Sequence, residues 1–142
     1  MGTPPGAEFR LLNQLSELDA LAERLLDFCR SAGASDEESG DVRLAVEETV
    51  SNTIRHGYAD GQPHAILVRA SIEDGAVCVE IEDDARAFNP LEAPLPDVTR
   101  PVEEKSPGGL GILLLRSVTD RAEYRRVGGK NVLRFVRRLG RT

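Results

Sequence analysis

At 142 residues, 30% of them charged and 40% hydrophobic, the chain has the length and composition of one soluble globular domain with a core of its own. A formal net charge of −6 argues against general affinity for nucleic acid or anionic membrane, and no apolar run approaches the ~20 residues of a membrane span. Two cysteines are too few for a disulfide framework, and the start, Met1-Gly2-Thr3-Pro4-Pro5-Gly6, lacks the basic end and apolar core of a signal peptide, so a cytoplasmic location is expected.

Residues 1–7 read as a loose tail ahead of a single domain over 8–139, and Phe9, Leu11 and Leu12 suggest a short first strand. Ser16 fits the N-cap of a helix, with Asp19 near its positive end. Leu18, Leu21, Ala22, Leu25, Leu26 and Cys29 recur at helical spacing, and Gly33 ends the pattern. Ser35 followed by Glu38 is a capping box, which predicts a second helix running to about His56 and stopped by Gly57. Val42, Ala45, Val46, Thr49, Val50 and Thr53 form its buried face. Alternation over His64–Ile72 and Ala76–Ile81, around Glu73-Asp74-Gly75, predicts an antiparallel hairpin. Cys29 on the apolar helix stripe and Cys78 in a strand are read as buried small hydrophobes.

Residues 84–107 hold Pro90, Pro94, Pro96, Pro101 and Pro107 and no steady period, as a functional or mobile loop does. A third helix is predicted from Gly111 to about Asp120, then strands over Arg121–Arg126 and Asn131–Arg138 around Gly128-Gly129. The fold class is α+β: a two-layer sandwich with helices on one face of a mixed, mainly antiparallel sheet.

Three places offer chemistry. Glu48 and Asn52, four residues apart, share a helix face. A carboxylate can take a proton from an attacking hydroxyl, and a carboxamide oxygen is a hard, neutral Mg²⁺ ligand. Spacing alone also fits two solvated polar residues, which is the simpler reading. Glu47 points elsewhere as a surface carboxylate; His56 follows on the same face and reads first as a partner of the helix C-terminus. His64 has no evident partner. Gly108, Gly109 and Gly111 precede a helix and let backbone approach an anion, although an ordinary glycine-rich loop has the same composition. Asp83, followed by Asp84, ends a strand, where a carboxylate can accept from a base amino group or simply terminate the strand.

In order, these segments resemble the ATP-binding domain shared by the gyrase, histidine-kinase and MutL ATPases, the histidine-kinase-like (GHKL) superfamily with its Bergerat fold. They are most similar to bacterial anti-sigma-factor serine/threonine kinases of the RsbW and SpoIIAB type. Leu44–Tyr58 is similar to the family's N box, Ile81–Pro90 to its first glycine box, and Gly108-Gly109-Leu110-Gly111-Ile112 to its second. The resemblance implies ATP and Mg²⁺ as cofactors. It implies Glu48 as general base, Asn52 on Mg²⁺, His56 near the phosphates and Asp83 on the adenine amino group. Ala85 and Ala87 would flank the nucleotide, Gly108, Gly109, Leu110 and Gly111 would line the phosphates, and the 91–107 loop would act as a lid. The implied reaction is phosphorylation of an anti-sigma-antagonist (STAS-type) protein, with regulation of a sigma factor by partner switching. A homodimer is implied, with no direct contact to nucleic acid or membrane.

The family has glycines where this chain has Ala85 and Ala87, and Asn131–Arg134 lacks a threonine that could support Asp83. A Cβ at 85 is expected to crowd the nucleotide or oppose a positive φ. That keeps an alternative open: a non-catalytic partner-switching protein with weak or lost nucleotide binding.

Overall fold

A computed structural model of the chain describes residues 6–92 and 115–140. Five strands form one sheet in the order β1-β2-β3-β5-β4, from β1 (Gly6–Leu12), β2 (Ala65–Glu73), β3 (Ala76–Asp83), β4 (Arg121–Val127) and β5 (Lys130–Arg138). All neighbours are antiparallel. Helices α1 (Leu18–Ser31) and α2 (Asp36–His56) cover one face, which gives the expected two-layer α+β architecture.

Local chemistry explains most boundaries. Ser35 Oγ accepts from the Glu38 backbone N–H at 3.0 Å, and Glu38 Oε1 accepts from the Ser35 N–H at 2.8 Å, so the capping box is complete. The second Glu38 oxygen accepts from the Gly140 N–H at 2.9 Å and ties the start of α2 to the end of β5. Asp74 and Gly75 both have positive φ, as do Gly128 and Gly129, and these are the conformations that two-residue hairpin turns require.

The sheet's inner face carries the row Phe9, Val68, Ile81, Leu133 and Tyr124 across all five strands. Leu21, Leu25 and Cys29 of α1 and Val42, Val46 and Val50 of α2 close over this face in one buried cluster. Fully burying each such large side chain contributes roughly 1.5–3 kcal/mol. The outer face carries the alternating row Glu8, Arg69, Glu80, Arg134 and Glu123. Arg69 pairs there with Glu8 at 2.9 Å and with Glu80 and Glu82 at 3.3 Å. That face therefore stays polar and needs no second helical layer. Both cysteines are buried and free, and burial pushes the Cys29 thiol up to about 11.

Some expectations change. Gly6 and Ala7 are not tail: they pair with Ser71 and Ala70 in β1. Ser16 is not the N-cap of α1 but lies inside a 3-10 turn, Leu15–Glu17, that leads into it. Glu17 takes over at that end, where its Oε1 accepts from the Leu12 N–H at 2.7 Å. Thr49 and Thr53 are half-buried and sit at the edge of the core. Of the predicted third helix, residues 115–118 are helical and 111–114 lie outside the described residues. No helix among the described residues is long and apolar enough to cross a membrane.

Candidate functional site

Between α2 and the end of the sheet that carries Asp83 lies a cavity of about 200 Å³. One wall is the polar stripe of α2: Glu48, Thr49, Asn52, Thr53 and His56, followed by Gly57. Ile81, Asp83, Asn131, Leu133 and Tyr124 supply the sheet side, and Ala85, Arg86, Phe88 and Pro90 supply the segment after β3. Glu48, Asn52 and His56 recur every fourth residue, so one helical face brings them together. The carboxylate of Glu48 and the carboxamide of Asn52 take no hydrogen bond or ion pair among the described residues. Glu47, by contrast, turns to Arg43 at 3.8 Å, away from the cavity.

Asp83 is 6% exposed, and burial pushes its carboxyl above the usual aspartate value, partly offset by hydrogen bonds from Asn131 and the Ala85 N–H. Both donors use Oδ1: Asn131 Nδ2 at 2.8 Å and the Ala85 N–H at 3.0 Å. Oδ2 accepts nothing among the described residues. Asn131, directly opposite Asp83 on β5, is the functional candidate that motif reading missed. Its Oδ1 accepts from the Tyr124 hydroxyl, from Arg126 Nη1 at 3.0 Å and from the Phe88 N–H at 3.3 Å. Its Nδ2 also donates to the Arg86 and Ala85 carbonyls at 2.9 and 3.3 Å. The signal was present in the sequence only as an asparagine at a strand start.

Ala85 does not have the feared conformation. Asp74 is the one non-glycine with positive φ among the described residues, and the Ala85 methyl abuts Gly57. The Arg86 N–H donates to the Gly57 carbonyl at 3.1 Å and fixes this contact. Ala87 is exposed and does not line the cavity. Gly108, Gly109, Leu110 and Gly111 lie outside the described residues, as does nearly all of the expected lid.

His64 does have partners. Its Nε2 meets Asp60 at 2.9 Å, its Nδ1 meets Asp84 at 3.1 Å, and its ring stacks on Tyr58 with centroids 4.4 Å apart. Hydrogen bonds first to Asp84 and then to Asp60 raise its pKa. Asp84 is thereby engaged outside the cavity. Among the described residues no group of three His, Cys, Asp or Glu side chains could hold a metal alone. The free Asn52 oxygen instead suits a Mg²⁺ ion that keeps phosphate and water ligands, as this ion prefers.

The sequence profile of the histidine kinase-like ATPase domain matches residues 11–137. The chain is 30% identical over 92 residues to the serine/threonine-protein kinase BtrW of Bordetella bronchiseptica, a match spanning 65% of each chain. It is 28% identical over 106 residues to the anti-sigma F factor of Caldanaerobacter subterraneus, spanning 74% of this chain and 73% of the relative. The match to BtrW thus covers just under two thirds of that relative. A crystal structure of the RsbU and RsbW domains of Rv1364c from Mycobacterium tuberculosis superposes with a TM-score of 0.70 at 20% identity. That match takes in 97% of this chain and 33% of the other, and shows a shared fold.

Proposed function

We infer the function of this chain from one premise: it belongs to the histidine kinase-like ATPase domain family, whose profile spans residues 11–137. It is an ATP-dependent serine/threonine protein kinase of the anti-sigma-factor type and takes part in partner switching. The observation that carries this reading is the cavity in which the free groups of Glu48 and Asn52 on α2 share one space with Asp83 on the sheet.

The roles follow from the chemistry of each group. Asp83 accepts from the exocyclic amino group of adenine. Asn52 holds Mg²⁺ against the phosphates, and that ion supplies charge neutralisation there when bound. Glu48 takes the proton of the attacking serine or threonine hydroxyl as its oxygen bonds to the γ-phosphorus and the bond to ADP breaks. His56 flanks the phosphates and Ala85 stands on the adenosine side, whereas Ala87 lies outside the cavity. Gly108, Gly109, Leu110 and Gly111 line the phosphates by resemblance. The phosphate acceptor is a STAS-type anti-sigma antagonist and the second partner a sigma factor, which places the protein in the cytoplasm. A homodimer belongs to the same reading, as does a single domain that begins with β1 at Gly6 and runs to about residue 139. Of the two grounds that Ala85 gave the non-catalytic alternative, the positive φ is removed, while its methyl stays in the cavity lining.

Thermal shift with Mg-ATP and Mg-ADP tests the reading, because a bound ligand stabilises the folded state by mass action. The expected result is a rise in Tm at millimolar nucleotide that Asn52→Ala largely removes. No shift for the unaltered protein would sink the kinase reading and leave partner binding alone.

A further inference from the structure

Asn131 is 7% exposed and lies in a cross-strand row between Asp83 of β3 and Arg126 of β4. A carboxamide has two N–H donors and one oxygen with two lone pairs. Every one of them is engaged. The nitrogen serves Asp83 Oδ1 and two carbonyls of the segment after β3; the oxygen serves Tyr124, Arg126 and the Phe88 N–H. A buried polar network this complete fixes one arrangement of its members.

The effect on Asp83 is directional. Its Oδ1 is held from two sides, by Asn131 and by the Ala85 N–H, while Oδ2 is left without a protein donor in a residue that lines the cavity. A carboxylate fixed in this way is an acceptor and cannot rotate to serve otherwise. A ligand amino group completes its hydrogen bonding, whereas a ligand carbonyl at the same place meets a lone pair. Truncating a contact of this kind costs discrimination between ligands that differ only in that group.

We propose that Asn131 is a positioning residue for base selection: by anchoring Asp83 Oδ1 and the backbone of residues 85–88, it holds Asp83 Oδ2 as a fixed acceptor for the exocyclic amino group of an adenine-type base. The inference rests on the nucleotide reading above and adds what aims the selecting atom.

The test compares ADP with inosine diphosphate, which carries a carbonyl in place of that amino group, by calorimetry on the full chain. Unaltered protein is expected to prefer ADP by about tenfold or more, the worth of one charged hydrogen bond. Asn131→Asp removes the donor and sets two carboxylates side by side, so that one proton is shared between them. The preference should vanish at mildly alkaline pH and return as pH falls, when the shared proton restores a donor to Asp83. Asn131→Thr keeps a hydroxyl donor and should keep part of the preference, while Asn131→Val, of similar shape, should lose it. This pair carries the comparison if Asn131→Asp is too unstable to assay. A purely structural role lowers affinity for both nucleotides equally and leaves the ratio at its original value in every variant and at every pH; that result overturns the proposal while the nucleotide reading stands. If the unaltered protein shows no preference for ADP, the adenine reading fails and this inference fails with it.

Discussion

The Ala85 methyl fills the space beside Gly57 so fully that a Cβ on Gly57 would lie 2.7 Å from it. The same Cβ would lie 2.7 Å from the Thr53 carbonyl oxygen, which accepts the Gly57 N–H at 2.8 Å. The end of α2 and the strand that carries Asp83 meet at this point. Gly57→Ala should therefore destabilise the fold by about 1–3 kcal/mol, as overpacking does. Chemical denaturation measures this. Adding Ala85→Gly should recover only part of the loss, since the carbonyl contact remains. Full recovery would mean that the backbone contact costs nothing.

Glu48→Ala should lower phosphoryl transfer to a cognate acceptor by about 10²- to 10⁴-fold while ATP affinity stays nearly unchanged. The carboxylate has no partner to release, so the substitution leaves no orphaned group among the described residues. A radiolabel transfer assay beside a binding titration reads both quantities. Transfer at the original rate removes Glu48 from the role of base.

The capping box should be visible in stability. Ser35→Ala removes the acceptor of the Glu38 N–H and should cost about 1 kcal/mol. Hydrogen bonds from the Ser35 backbone, foremost, and from Gly140 hold the Glu38 carboxyl below the usual glutamate value against its burial. A depressed folded pKa means stability present above the unfolded value and lost as pH falls through the folded one. The unaltered protein should lose stability in the acid range below the usual glutamate pKa, and Glu38→Gln should lose less over the same range. Denaturation midpoints across acid pH settle the point; parallel curves would count against it.

His64 titrates with the opposite sign. Its folded pKa is raised by Asp84 and then Asp60, so its contribution is full below the ordinary histidine value near 6.5 and fades as pH rises through the folded one. The imidazole resonance of His64 should titrate above that ordinary value. The stability of the protein should fall as pH rises through neutrality and beyond, and His64→Gln should flatten that slope. A His64 resonance that titrates at or below the ordinary value would contradict the double clamp.

Features whose cause is local could be read from the chain. The Ser35–Glu38 box, the apolar period of α1 and α2, and the Asp74-Gly75 and Gly128-Gly129 turns each need only near neighbours. Features set by distant pairing could not. Gly6 and Ala7 look like tail until β2 lies beside them, and His64 looks solitary until the β2–β3 hairpin brings Asp84 to its ring. The site divides in the same way. Glu48, Asn52 and His56 follow from helical spacing, whereas Asn131 meets Asp83 only across the β3–β5 pairing. Ala85 belongs to the second group: its backbone takes no positive φ, and its methyl packs beside Gly57 of another element while it lines the cavity.

The β3–β5 alignment has a consequence for the evolution and engineering of this protein. Successive strand residues face opposite sides, so a slip of one position would turn Asn131 outward and set Lys130 or Val132 against Asp83. The base selection proposed for Asp83 and Asn131 thus depends on strand alignment as much as on residue identity. An insertion or deletion in the Gly128-Gly129 turn that shifts this alignment should erase nucleotide selectivity while every site residue remains in the sequence. Motif inspection alone would pass such a chain as intact.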